Sequence, residues 1–342
     1  MSEGVGQAGT VSAPPLRYPR LLRALPGYRW WKPLVALVIA GVFWIVFQVA
    51  FGLLAFGLAL VVGDITVPAF TPDDVTSFAA KLQDIVVAFF SLDLADGFSV
   101  VAGLGGVATL LPAVLLGYRI TGLRPLTVLR SVAFRFRWKW MLITLAPALL
   151  ITGIAAVASF TVLPAIGIGS PPLAPTTPVT TWLLCALLIL VLTPIQAAAE
   201  EFAFRGLVLQ MVGGWVRPAI VAVVVSTAGF AALHTQYLGW ATLDVAFFGA
   251  VAAYLTWRTG GLEASLSLHA VNNTVVFLVL ASGAAGSTSA IDIDHPAKGD
   301  PISLLVTIVT MGAYALIITV VARRRGIQDR LVADGIRDAS SG

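Results

Sequence analysis

TWLLCALLILVLTPIQAAAEEFAFR, residues 181–205, carries a largely apolar run from Thr181 to Ala199 into two adjacent glutamates and an arginine. The run matches the roughly 20 apolar residues that cross a hydrocarbon core as a helix. A carboxylate or guanidinium costs roughly 2.5–3.5 kcal/mol at the centre of such a helix, so Glu200, Glu201 and Arg205 read as groups kept for a purpose. Fold and function both turn on this stretch.

The rest of the chain extends the reading. Of 342 residues, 58% are hydrophobic and 11% charged, with a mean hydropathy of +0.93, too little polar surface to coat a soluble globule. About eight segments are long enough to span: Pro33–Val62, Phe98–Gly117, Trp138–Leu163, Thr181–Val212, Pro218–His234, Trp240–Trp257, Leu262–Gly283 and Ile302–Val321. The expected fold is all-α, a polytopic transmembrane helix bundle. The first span follows a charged stretch without an A-x-A cleavage pattern and reads as a retained anchor.

The organisation expected is a basic N-terminal tail (1–32), transmembrane helices 1–3 with their loops (33–180), a core (181–283), an outer loop with the last helix (284–322), and a basic C-terminal tail (323–342). The apolar stretch Ile85–Leu92 is too short to cross. All Lys and Arg except Lys81 and Lys298 fall in the segments that eight crossings place on one side. The positive-inside rule makes that side, and both termini, cytoplasmic. Asp64, Asp73, Asp74, Asp84, Asp93 and Asp96 all fall in the first outer segment. The formal net charge of +4 therefore reads as topology and attraction to anionic lipid headgroups rather than nucleic-acid binding. Cys185 is the one cysteine, which excludes a disulfide within the chain and a cysteine-rich metal site.

Chemistry must come from the few polar groups in the apolar part: Glu200, Glu201, Arg205, His234, Asp244, His269, Asn272 and Asn273. Glu201 and Arg205 are one helical turn apart and can pair, while Glu200 points about 100° away and is left free. Phe230 and His234 share a face at the same spacing, as do His269 and Asn273. A buried ion network that only fixes helix packing is the structural alternative, with Asn272 as an interhelical clamp.

Taken in order, Glu200-Glu201-x-x-x-Arg205, Phe230-x-x-x-His234 and His269-x-x-x-Asn273 resemble the signature of the CPBP (also called ABI) intramembrane endopeptidases, which include the CAAX prenyl-proteases. The resemblance spans roughly Thr181 to Gly283, and Gly206 suits it. It implies a CAAX-protease-like bundle hydrolysing a peptide bond in a membrane-associated protein or peptide. By that resemblance Glu200 and His234 activate water, His269 and Asn273 stabilise the oxyanion, and Glu201, Arg205 and Phe230 give support. These roles meet the needs of peptide hydrolysis, which are an activated water, a proton acceptor and oxyanion donors.

A metal-free glutamate mechanism without a cofactor is the expectation. Zinc held by Glu200, His234 and His269 is the minority form. No H-E-x-x-H is present. The Gly167-Ile168-Gly169-Ser170 pattern has no motif histidine beside it, and Asp244 lacks a second aspartate, so serine and aspartyl chemistries are set aside. Other readings are a transporter or ion-binding protein, or an idle relative acting in immunity or as a scaffold. The Ala/Val/Gly-rich composition points to a bacterial plasma membrane. One tension stands: along straight helices His234 lies about 25 Å from the turn near Arg217, against about 10–16 Å for Glu200 and His269.

Overall fold

The computed structural model describes residues 15–63, 66, 75–168, 174–291 and 296–331. The expectations attached to Asp64, Asp73, Asp74, Gly169, Ser170 and Arg337 lie outside the described residues. The helices are α1 (Lys32–Val62), α2 (Val75–Phe90), α3 (Gly97–Ala108), α4 (Leu110–Ile120), α5 (Trp138–Val157), α6 (Leu163–Ala165), α7 (Val179–Glu201), α8 (Leu209–Trp215), α9 (Ala219–Ala232), α10 (Trp240–Thr259), α11 (Glu263–Ala281) and α12 (Pro301–Arg324). Short π-helical stretches, Ala158–Val162 and Phe202–Val208, join α5 to α6 and α7 to α8.

Seven of the resulting rods are long and apolar enough to cross a membrane: Lys32–Val62, Gly97–Ile120, Trp138–Ala165, Val179–Trp215, Trp240–Thr259, Glu263–Ala281 and Pro301–Arg324. Large apolar side chains such as Leu54, Val61, Leu142, Leu187 and Leu316 are exposed on their outward faces, the arrangement a lipid solvent favours. The chain is an integral membrane protein.

The eighth apolar helix, α9, has 14 residues and reaches about 21 Å, short of the hydrocarbon core. It still runs from one end of the bundle to the other. Beyond it, Leu238 N donates to Ala297 O and Ala241 N to Lys298 O, tying the 233–239 segment to the entry of α12. That end also gathers the 91–96, 174–177 and 282–291 segments through backbone bonds such as Leu94 N to Thr288 O and Thr176 N to Ser282 O.

The opposite end is closed by both ends of the described chain. Strand β1 (Leu16–Arg17) pairs antiparallel with β2 (Arg330–Leu331), Leu16 facing Leu331, so both lie on the same side of the bundle. Residues 18–24 form a 3-10 turn whose Tyr18, Leu21 and Leu22 are fully buried, so this part of the basic N-terminal segment is packed rather than free. The Tyr18 hydroxyl donates to Leu129 O. Close approach is made possible by Gly213, where a Cβ would collide with the Pro19 backbone.

The polar ends of helices are satisfied locally. Asp300 caps α12 by accepting from Ile302 N at 2.8 Å and Ser303 N at 3.0 Å, with Pro301 just inside the helix. At α11, Glu263 sits in the first turn, where the helix dipole favours an anion, and accepts from Arg137 Nε at 2.9 Å and Nη2 at 2.6 Å. Arg137 also donates to Gln328 O at 2.8 Å. The turn between α10 and α11, with Gly260 at φ +72°, therefore lies beneath the 130–137 loop and the 327–331 segment. Helix α11 begins inside the protein.

Candidate active site

Glu200 and Glu201 end α7, and the π-helical stretch that follows brings Arg205 back onto Glu201. Single π turns inside α-helices are frequent at functional sites. The Leu209 N–H returns to Phe204 O, five residues back, and Ser226 Oγ of α9 donates to the same carbonyl at 2.9 Å. Helix α9 is thereby pinned against the π-helical stretch.

Arg205 Nη1 donates to Glu201 Oε1 at 2.9 Å, and both side chains are fully buried. A buried ion is tolerable only when most of its hydrogen-bonding groups are met; among the described residues Arg205 Nε and Glu201 Oε2 make no hydrogen bond, and the other guanidinium nitrogens are engaged. Arg205 Nη2 donates to Gly249 O of α10 at 3.0 Å, and the guanidinium carbon lies 4.4 Å from the centre of the Phe230 ring. Arg205 thus links α7, α9 and α10.

His269 stands between the two glutamates. Its Nδ1 is 2.9 Å from Glu201 Oε1 and its Nε2 is 3.4 Å from Glu200 Oε2. Both ring nitrogens thus face carboxylate oxygens. Glu200, Glu201, Arg205 and His269 form one contiguous buried quartet. Phe248 and Phe230 meet the imidazole edge-on, at centroid distances of 5.1 and 5.9 Å, and shield it from the rest of the core.

Gln196, absent from the sequence-based set, orders the other side. Its Nε2 donates to Glu200 Oε1 at 2.7 Å, and its Oε1 accepts from Asn273 Nδ2 at 3.4 Å. Asn272 Nδ2 donates to Asn273 Oδ1 at 3.4 Å. Among the described residues the buried Glu200 Oε2 accepts no hydrogen bond; it lies 3.4 Å from His269 Nε2. A buried acceptor left open in this way calls for a reason.

His234 follows α9 and is half-buried. Its Nδ1 is 2.7 Å from Phe230 O, and a carbonyl can only accept, so Nδ1 carries the proton and a neutral ring keeps its lone pair on Nε2. Its ring lies 4.3 Å from Phe230. Among the described residues no direct hydrogen bond or ion pair joins His234 to Glu200; the two are linked through Phe230 and the His269 it touches.

The depth tension of the sequence reading does not persist. Helix α7 continues through the π-helical stretch and α8 to Trp215, so Glu200 lies 15 residues from that end and His234 lies 15 residues from Ala219, about 22 Å in each case. His269 is six residues into α11, whose first turn is buried and joined to the 130–137 loop. Asp244 lies in the first turns of α10, outside this cluster.

The fit of a metal can be tested on the donors. Among the described residues no group of three or more His, Cys, Asp or Glu is arranged to hold one. His269 has both nitrogens committed to carboxylates, and the set Glu200, His234 and His269 is not assembled around one point.

Residues 180–275 match the family model described as Type II CAAX prenyl endopeptidase Rce1-like. These residues form an Rce1-like domain of the CPBP family. The Rce1-like match holds every residue of the cluster, Gln196 included, and ends before the last turns of α11. A 98-residue segment is 40% identical to YyaK of Bacillus subtilis (strain 168), described as an uncharacterized protein, and covers 27% of this chain and 32% of that relative. The similarity thus spans about a third of the relative's length. No solved structure matches.

Proposed function

We propose that the protein is an intramembrane endopeptidase that hydrolyses a peptide bond in a membrane-associated protein or peptide without a resident metal. The observation that carries this reading is Glu200 Oε2, a buried carboxylate oxygen with no hydrogen bond among the described residues, 3.4 Å from the Nε2 of His269. A carboxylate so placed can take a proton from water.

In the proposed reaction the water oxygen attacks the scissile carbonyl carbon while its proton passes to Glu200. The resulting oxyanion accepts hydrogen bonds from His269 Nε2–H and Asn273 Nδ2–H. Both donors make long contacts of 3.4 Å in the resting structure, so the developing charge can take them over with little loss. Collapse breaks the C–N bond, and the proton held on Glu200 goes to the leaving amine. Glu201 fixes the His269 ring through Nδ1, and Arg205 holds Glu201 in place by the 2.9 Å pair.

His234 supplies a second acceptor through its unprotonated Nε2, reaching the water from the 233–239 segment. Since it does not touch Glu200, its part depends on a bridging water or on movement of that segment. The positive-inside rule supports a cytoplasmic side for both ends of the chain, and the β1–β2 pairing, which puts Leu16–Arg17 and Arg330–Leu331 on one side, agrees with it.

The test compares the membrane and secreted peptides of cells carrying wild-type protein with those carrying Glu200→Gln, His269→Ala or His234→Ala. Peptide ends that vanish in Glu200→Gln and His269→Ala cells support the reading and name the substrate. Identical peptide ends in all four strains refute it.

A further inference from the structure

At the end of the bundle where β1 and β2 pair, a cavity of about 340 Å³ is lined by Arg17, Arg258, Arg323 and Arg330 with Asp329, and by Thr319 and Ala322. Four guanidinium groups thus face one carboxylate. Asp329 is only loosely engaged, 3.8 Å from Arg17 Nη2 and 3.7 Å from Arg330 Nε. Among the described residues Arg258 and Arg323 have no ion-pair partner. Burial, and then the nearby Arg330 and Arg258, push the Arg17 guanidinium below its usual range, with Asp329 offsetting part of the effect.

Arg323 and Arg330 are exposed and Arg17 and Arg258 half-buried, so the four side chains raise a positive potential that attracts an anion. We propose that this cavity binds a phosphate-bearing anion, with the headgroup of an anionic phospholipid as its source. Guanidinium forks match phosphate oxygens bidentately. The location selects the lipid: Arg258 and Arg323 end two membrane-crossing helices, α10 and α12, so the cavity opens at the level where headgroups lie. Bound phosphate bridges β1, β2, α10 and α12, joining the two chain ends to the helix that carries Gly249 and Phe248 of the cluster described above. The site is independent of the proposed protease chemistry.

The experiment measures thermal unfolding of purified full-length protein in phosphatidylcholine nanodiscs with and without phosphatidylglycerol, and in detergent with inorganic phosphate. Wild type is expected to gain stability with phosphatidylglycerol. Arg258→Gln/Arg323→Gln is expected to need about 25-fold more anionic lipid for the same gain, at about fivefold per charge removed. If that pair does not fold, Arg323→Gln alone carries the test with a shift of about fivefold. A gain from inorganic phosphate equal to that from lipid supports the phosphate site and assigns it to the free ion. A wild type that responds to neither overturns the proposal. So does a variant that responds like wild type.

Discussion

Replacing Arg205 by Met tests whether the cluster is built as an interlocked set. The substitution keeps most of the side-chain volume but removes the 2.9 Å pair with Glu201, the 3.0 Å donation to Gly249 O and the cation placed 4.4 Å from the Phe230 ring. Glu201 is fully buried, so the dominant cost is a carboxylate left without its counter-ion, about 3–5 kcal/mol for a buried pair broken on one side. The cation–π contact adds up to about 2 kcal/mol, not strictly additively. His269 offsets part of this loss through its Nδ1 contact with Glu201. Glu201→Gln in the same chain removes the stranded charge, so the double variant is expected to recover at least about 2 kcal/mol relative to the sum of the singles. The assay is reversible unfolding in mixed micelles across the four-member cycle. A loss under about 1 kcal/mol for Arg205→Met, or additive singles, would show that solvent reaches the pair and would refute the buried-quartet account.

Gln196→Met removes the 2.7 Å bond to Glu200 while preserving shape. A hydrogen bond to a charged group is worth about 1.5–3 kcal/mol, so kcat should fall at least tenfold with KM nearly unchanged. Peptide-cleavage kinetics check it. Asp300, whose carboxyl is held below its usual range by the Ser303 hydroxyl bond, stabilises the start of α12 above its unfolded pKa and loses that contribution as pH falls through its lower folded value. Asp300→Ala should therefore cost about 0.5–2 kcal/mol near neutrality, with the gap to wild type closing in acid, as read by unfolding across pH. Gly213→Leu should free residues 16–24 from α8, visible as faster amide exchange at Leu21 and Leu22.

Much of this architecture is legible in the chain itself, because a bilayer imposes one requirement on every crossing segment: enough apolar residues in a helix. The spans around α1, α5 and α12 follow from that alone. The i, i+4 spacing of Glu201 and Arg205 likewise foreshadows their contact. The common depth of the site is not legible locally, because it depends on where each helix ends, and the helix bearing Glu200 runs on to Trp215 through a π-helical stretch. Gln196 carried a readable signal, one turn ahead of Glu200, but an amide among apolar residues has no charge to draw notice. The Arg137–Glu263 pair and the two-residue strands join positions far apart in sequence, and no local pattern encodes such partners. His234 shows the converse: its motif was plain, yet its ring bonds to its own helix at Phe230 O.

The central claim is that Glu200, opposed to His269, is the base of a hydrolytic site. Its most direct test is the cleavage rate of a membrane-tethered peptide by purified Glu200→Gln protein, compared with wild type at equal folding. The account predicts a loss of at least about a hundredfold in kcat, the scale of general-base catalysis, with folding intact. Cleavage by Glu200→Gln within a few-fold of wild type would contradict it.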